Sequence, residues 1–214
     1  MFLYIKIYLI KMFESIQKYC QELTREFEMI PMERKLLLDK IVSYIQSKRA
    51  EGHPVHLVYI CTHNSRRSHF GQVWAHVAAC FFGIKNVFTF SGGTEATAFN
   101  QNAIDAFVRI GFDMKKITEG INPTYAVVFD ESFPPSICFS KEYDHPQNPK
   151  TSFAAIMTCS DAEENCPFIP GVELRIGTTY EDPKAFDNTP FQNEKYDERC
   201  RQIARETFYV FSMV

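Results

Sequence analysis

The spacing of apolar residues separates an N-terminal helical part from a longer mixed part of the chain. Between Met12 and Ala50 the apolar positions recur every three or four residues, at Phe13, Ile16, Cys20, Leu23 and Phe27 and then at Leu37, Ile41 and Ile45. This spacing predicts two amphipathic helices, because an α-helix repeats every 3.6 residues. Pro31 stands between the two sets as a break and as a first-turn residue. We therefore expect a helical extension over residues 12–50.

From Pro54 onwards the pattern changes to short apolar runs bounded by turn residues. The runs are Val55 to Ile60, Val87 to Ser91 and Phe153 to Cys159, and a helical pattern separates the first two. Such an alternation predicts βαβ units and a parallel sheet. We expect an α/β three-layer domain over residues 54–214.

Two further segments of this domain have patterns of their own. Two strand-like runs, TYAVVF and SICFSK, lie between Thr124 and Lys141 and flank a turn, which predicts an inserted hairpin. Near the C-terminus, Thr189 as N-cap and Pro190 at the first helical position predict a closing helix. Its apolar side comprises Tyr196, Cys200, Ile203 and Phe211.

Residues 1–10, MFLYIKIYLI, are apolar apart from Lys6 and are too short to span a bilayer. They also lack a small-residue cleavage site. We expect residues 1–11 to be a start-site artefact, with translation beginning at Met12, or a disordered or short additional segment.

Composition narrows the class of protein. With 45% apolar and 14% aromatic residues, the 214-residue chain can build a packed core. A net charge of −3 gives no general attraction to nucleic acids or anionic membranes, so we expect neither as a partner. The seven cysteines are odd in number and too sparse for a disulfide scaffold, which favours free thiols and a cytoplasmic location.

The most informative segment follows the first predicted strand: Cys61-Thr62-His63-Asn64-Ser65-Arg66-Arg67-Ser68. In a strand–loop–helix connection, inward backbone N–H groups and the helix dipole create a site for a tetrahedral oxyanion. The same field favours the thiolate form of Cys61, assisted by the hydroxyl of Ser68. The planar fork of Arg67 can hold two oxygens of one anion. Asn64 tolerates the left-handed backbone of a tight loop.

This spacing resembles the CxxxxxR phosphate loop of the low-molecular-weight protein tyrosine phosphatase superfamily, in its CxxNxxRS form. The resemblance implies a central, mainly four-stranded parallel sheet and an oxyanion site formed by residues 62–68: Thr62, His63, Asn64, Ser65, Arg66, Arg67 and Ser68. The chain departs from the usual pattern at His63, where glycine is common, and at Arg66, where a smaller residue is common. His63 could cover the anion or point to solvent.

A second motif begins at Cys159, in the segment CSDAEENCPFIP that also contains Cys166. It resembles the CSDAxxxCPxxP segment of thioredoxin-coupled arsenate reductases, a redox branch of the same superfamily. That resemblance implies a cascade in which Cys61 attacks arsenate, Cys159 attacks Cys61 with release of arsenite, and Cys166 attacks Cys159. A thioredoxin-like reductant would then reduce the resulting disulfide. The alternative interpretation is a pair of buried cysteines around a polar turn.

Asp182, in Glu181-Asp182-Pro183, resembles the Asp-Pro motif of both branches, which implies a carboxylic acid that donates a proton to a leaving oxygen. Arsenate reduction is the leading hypothesis. A phosphomonoesterase that uses Cys61, Arg67 and Asp182 remains open, as does a non-catalytic oxyanion-binding or redox-sensing protein. We predict no cofactor and no metal, since the histidines show no ligand spacing and Gln72 stands where some relatives have a potassium-binding carboxylate. A homodimer is left open.

Overall fold

The computed structural model describes residues 12–165 and 168–214. Their central sheet has four parallel strands: β1 (Val55–Cys61), β2 (Val87–Gly93), β6 (Phe153–Met157) and β7 (Val172–Gly177). Their order in the sheet is β2-β1-β6-β7. The sequence-based prediction of an α/β fold with a four-stranded parallel sheet is confirmed. Strand β6 ends at Met157, two residues earlier than expected, so Cys159 lies beyond the strand.

Alternate residues of β1 pack into two separate hydrophobic clusters, because successive side chains of a strand point to opposite faces. Leu57 and Tyr59 join the main cluster, in which the long helices bury their apolar sides. Val58 and Ile60 join a smaller cluster with Ala162 on the other face. The helices are α1 (Glu14–Thr24), α2 (Met32–Ala50), α3 (Arg67–Phe81), α4 (Gln101–Ile110), α5 (Ser160–Asn165) and α6 (Gln192–Ser212). The result is a three-layer arrangement around the sheet.

The N-terminal helices form where the apolar spacing predicts them. Pro31 is the N-cap of α2 rather than a residue of its first turn. Ile16 of α1 and Ile45 of α2 are fully buried and belong to the same cluster as Trp74 of α3. The helices therefore pack on the remainder of the protein. The domain boundaries at residues 12–50 and 54–214 stay a prediction.

The inserted hairpin is present as β4 (Tyr125–Val128) and β5 (Ser136–Cys138), which pair in antiparallel fashion. A third strand, β3 (Asp113–Lys116), pairs with β4 and was not expected, because its sequence DMKK is short and polar. Residues 1–11 lie outside the described residues. None of the helices in the described ranges is long and apolar enough to cross a membrane.

The predicted N-cap of the closing helix is wrong. Helix α6 begins at Gln192 with Phe191 at its N-cap. Thr189 lies in the preceding turn, where its hydroxyl donates to the carbonyl of Phe186 at 2.7 Å. The carbonyl of Thr189 also accepts the N–H of Gln192 at 3.2 Å. The turn therefore uses the polar atoms of Thr189 before the helix begins.

Candidate active site

The loop that follows β1 is held in a tight curve. Asn64 has a left-handed φ of +44°, as its place in a tight loop predicts. The hydroxyl of Ser65 donates to the carbonyl of Ala98 at 2.7 Å. Gly93 at the end of β2 allows the close approach, because a Cβ there would lie 2.6 Å from the carbonyl oxygen of Thr62 and 2.7 Å from the nitrogen of Asn64.

Cys61 ends β1 with only 4% of its surface exposed. Its Sγ lies 3.1 Å from Oγ of Ser68 in the first turn of α3. The amide Nδ2 of Asn64 donates to the same hydroxyl oxygen at 2.8 Å. Since that oxygen already accepts a hydrogen bond, the Ser68 proton is available to the sulfur. A hydroxyl that donates to sulfur stabilises a thiolate.

Arg67 connects the loop with the Asp-Pro segment. Its Nη1 donates to the carbonyl of Tyr180 and its Nη2 donates to Oδ2 of Asp182, both at 2.7 Å. The Nε of Arg67 is buried and has no partner among the described residues. A buried donor without an acceptor is costly, so this N–H is suited to an anion oxygen. The other carboxylate oxygen of Asp182 accepts the N–H of Lys184 at 3.0 Å and fixes the carboxylate at this position.

Arg66 is farther from Asp182 than Arg67 is, with its Nε 4.0 Å from Oδ1, and both Arg66 and His63 have further partners. The Nε of Arg66 donates to the hydroxyl of Tyr196 at 2.9 Å, and its guanidinium is 3.9 Å from the carboxylate of Asp187. The imidazole of His63 is 43% exposed, with Nε2 3.8 Å from a carboxylate oxygen of Glu95. These contacts make Arg67, rather than Arg66, the arginine joined to Asp182 by a short hydrogen bond. His63 contributes its backbone to the loop.

Cys159 lies beside the loop. It is 2% exposed, and its Sγ is 3.4 Å from Oγ1 of Thr62, the residue that follows Cys61. The N–H of Ala162 in α5 donates to the same sulfur at 3.4 Å. The structure thus brings the start of the second motif against the first. Cys166 lies outside the described residues.

The other cysteines of the described chain lie in hydrophobic surroundings. Burial raises the pKa of the thiols of Cys80, Cys138 and Cys200 to about 12, and it also raises that of Cys20. A thiol with such a pKa is a poor nucleophile near neutral pH. Within residues 12–165 and 168–214, no three His, Cys, Asp or Glu side chains come together as a metal site.

Sequence reasoning missed three residues that hold the site together. Tyr180 accepts from Arg67, and Ser140 donates its hydroxyl proton to the carbonyl of His63 at 2.8 Å. The backbone N–H of Lys141 donates to Oδ1 of Asn64 at 3.0 Å. Tyr180 stands two residues before Asp182 and could have been found from that position. The contacts of Ser140 and Lys141 depend on where the insertion folds back, and no local pattern indicates them.

Known proteins resemble this chain in sequence and in fold. No family model matches the chain. An arsenate reductase of Staphylococcus aureus (strain Newman) is 25% identical over 137 residues, which cover 64% of this chain and 84% of the relative. An arsenate reductase 2 of Staphylococcus epidermidis has the same identity over 141 residues and the same coverage.

Among solved structures, an arsenate reductase in its phosphate-binding state superposes with a TM-score of 0.50 at 15% identity, over 74% of this chain and 97% of that one. The chain is similar to arsenate reductases in sequence and in fold. A low-molecular-weight phosphotyrosine phosphatase of Vibrio cholerae O395 has a TM-score of 0.49 at 12% identity, over 74% and 95% of the two chains. The relatives named arsenate reductase indicate that the protein is an enzyme.

Proposed function

We propose that this protein reduces arsenate to arsenite by a thiol–disulfide cascade that starts at Cys61. The observation that carries the proposal is the contact between Thr62 and Cys159, at 3.4 Å. A phosphatase needs one cysteine at the anion loop, whereas a reductase needs a second thiol that can reach the first. The 25% identity to arsenate reductases supports the same choice.

In the first step the thiolate of Cys61 attacks arsenic, an As–S bond forms and water leaves. Asp182 supplies the proton for the departing oxygen, a role worth about a hundredfold to ten-thousandfold in rate. The Nε of Arg67 and the N–H groups of residues 62–68 bind the remaining oxygens. Ser68 stabilises the thiolate before the attack.

In the second step the thiolate of Cys159 attacks the sulfur of Cys61. The S–S bond forms as the As–S bond breaks, and arsenic keeps the electron pair, so that arsenic(V) becomes arsenic(III) and arsenite leaves. Cys166 then displaces Cys61 from Cys159 and restores the first thiolate. The dithiol of a thioredoxin-like protein reduces the Cys159–Cys166 disulfide. Because each cycle begins from free thiols, we place the reaction in the cytoplasm.

The experiment mixes the fully reduced protein with arsenate in the absence of any reductant. We expect one arsenite per chain and the loss of two free thiols. Cys159→Ser should release no arsenite by the intramolecular route, whereas Cys166→Ser should release arsenite once and stop at the Cys61–Cys159 disulfide. Cys138→Ser is the matched control, since it changes a buried thiol of the hairpin, and it should behave as the wild type.

The alternative functions give different results in the same assay. A phosphatase would hydrolyse an aryl phosphate through many turnovers with all thiols still reduced, and Cys159→Ser would leave that rate unchanged. A binding or sensing protein would turn over neither substrate. Size-exclusion chromatography of the same samples tests whether the protein forms a homodimer.

A further inference from the structure

The N-terminal extension reaches the segment that carries Asp182. Arg34, in the first turn of α2, donates from Nη2 to the carbonyl of Thr178 at 2.8 Å. Its Nε donates to Oε2 of Glu206 in α6, also at 2.8 Å. The guanidinium carbon lies 4.8 Å from the ring centroid of Tyr180. One side chain of the extension therefore touches the segment between β7 and Asp182 at two residues.

Tyr180 is shared between this cluster and the candidate active site. Its hydroxyl donates to Oε2 of Glu206 at 2.9 Å. Burial, together with the neighbouring carboxylate of Glu206, raises the pKa of Tyr180, so the hydroxyl remains a donor. On its other side, the carbonyl of Tyr180 accepts from Nη1 of Arg67 at 2.7 Å. A displacement of Tyr180 would therefore move the acceptor that orients Arg67.

The contacts of Arg34 require the planar guanidinium group of an arginine. Arg34 spans two acceptors, a carboxylate and a backbone carbonyl, through separate N–H groups, and its flat face covers the tyrosine ring. Lysine would keep the positive charge opposite Glu206 but could not reproduce the planar fork. Glu206 is 3% exposed, so loss of the charge of Arg34 would leave a buried carboxylate without its cation.

We propose that Arg34 is a positioning residue for the oxyanion site: it fixes Tyr180, whose carbonyl holds the guanidinium of Arg67 in the orientation that binds the anion. The inference rests on the proposed function, because it takes Arg67 as the anion-binding arginine. With this role, the helical extension contributes to the site. The loop of the site lies about 30 residues or more further along the chain than Arg34.

The test measures the affinity for inorganic phosphate from its protection of Cys61 against iodoacetamide, with the labelled residue identified by mass spectrometry. Arg34→Lys keeps the charge and should bind phosphate about tenfold more weakly, the loss of about one charge-assisted hydrogen bond. The double variant Arg34→Met/Glu206→Gln removes both charges together and should show the same loss. Melting temperatures are recorded for every variant.

The matched control is Glu26→Gln. Glu26 also joins the extension to α6, through an ion pair with Arg205 at 3.4 Å and hydrogen bonds to Arg201, but it does not touch Tyr180. This variant should lower the melting temperature and leave phosphate affinity within about twofold, because the contacts of Tyr180 remain. Arg34→Lys should instead lose much more phosphate affinity than Glu26→Gln at a comparable change in melting temperature.

The outcomes separate the inference from the proposed function. If phosphate protects the wild type and Arg34→Lys equally well, the positioning role is wrong while the anion site stands. If the phosphate affinity falls in proportion to the melting temperature in both Glu26→Gln and Arg34→Lys, a general loss of stability explains the effect. The positioning role of Arg34 is then also wrong. If phosphate does not protect Cys61 of the wild type, the proposed anion site fails first, and the inference fails with it.

Discussion

Replacing Ser68 by alanine tests how the fold prepares Cys61 for attack. Ser68 Oγ lies 3.1 Å from the sulfur, and the amide of Asn64 donates to the same oxygen at 2.8 Å, which leaves the hydroxyl proton for the sulfur. The change removes one small polar atom from a fully buried position in the first turn of α3. Alanine is a good helix former, so we expect the helix to be retained.

The size of the effect follows from the charge of the acceptor. A hydrogen bond to a charged group contributes roughly 1.5–3 kcal/mol, and about 1.4 kcal/mol corresponds to a factor of ten in population. The sulfur carries negative charge when it attacks, and the hydroxyl of Ser68 stabilises that charge. Ser68→Ala should therefore slow iodoacetamide labelling at Cys61 by about tenfold or more.

Two further variants make this measurement decisive. Asn64→Gly keeps a residue that accepts the left-handed backbone but removes the amide that orients Ser68, so an intermediate loss is expected. Ser65→Ala removes a hydroxyl of the same loop that bonds to Ala98 instead of sulfur, so the labelling rate should stay close to that of the wild type. Labelling of Ser68→Ala at the wild-type rate would refute the role of the hydroxyl.

The remaining predictions concern the thiol, the arginine, the proton donor and pH. Cys61 should be the first described cysteine to react with iodoacetamide at mildly acidic pH, and phosphate should protect it; earlier labelling of another described thiol would contradict the assignment. Arg67→Lys should weaken phosphate binding by about tenfold or more, because lysine lacks the paired donors, and unchanged affinity in the protection assay would transfer the role to another residue. Asp182→Asn should slow single-turnover arsenite release by about a hundredfold or more while phosphate still binds; an unchanged rate would exclude it as the proton donor. Burial lowers the pKa of His76 from 6.5 to about 4, so the unfolded chain takes up its proton first and stability should fall as pH decreases from about 6.5 to about 4, by at most about 3 kcal/mol. His76→Gln should reduce this pH dependence in thermal melts, and an unaltered dependence would assign it to other groups.

The link between Arg67 and Asp182 has a consequence for the reaction cycle. Their contact at 2.7 Å holds the proposed anion binder and the proposed proton donor together at the mouth of the loop. An oxyanion that binds here accepts a hydrogen bond from Nε of Arg67, which has no other partner among the described residues. It also competes with Asp182 for the N–H groups of Nη2. Binding of the substrate can thus loosen the carboxyl group at the point where it must deliver its proton.

The sequence by itself determined the elements and the anion loop. The strands, the helices and the hairpin follow from the spacing of apolar residues, because that spacing shows which side of each element is buried. Cys61 and Ser68 meet because a strand, a short loop and a helix start bring residues seven apart into contact. The left-handed Asn64 belongs to the same local geometry. The short polar strand β3 was missed, because it forms through its pairing with β4 and has no apolar pattern of its own. The start of α6 was misplaced, because the polar atoms of Thr189 bond within the preceding turn.

Only the tertiary structure decided which distant residues join the loop. Cys159 reaches Thr62 because β6 lies next to β1 in the sheet, and strand order is not written in the spacing of either motif. The orientations of Arg67 and of the adjacent Arg66 depend on Tyr180 and Tyr196, which lie more than 100 residues further along the chain. The contact from Arg34 to Thr178 spans 144 residues. Such contacts form when packed elements exclude water between them, and no local pattern encodes that packing.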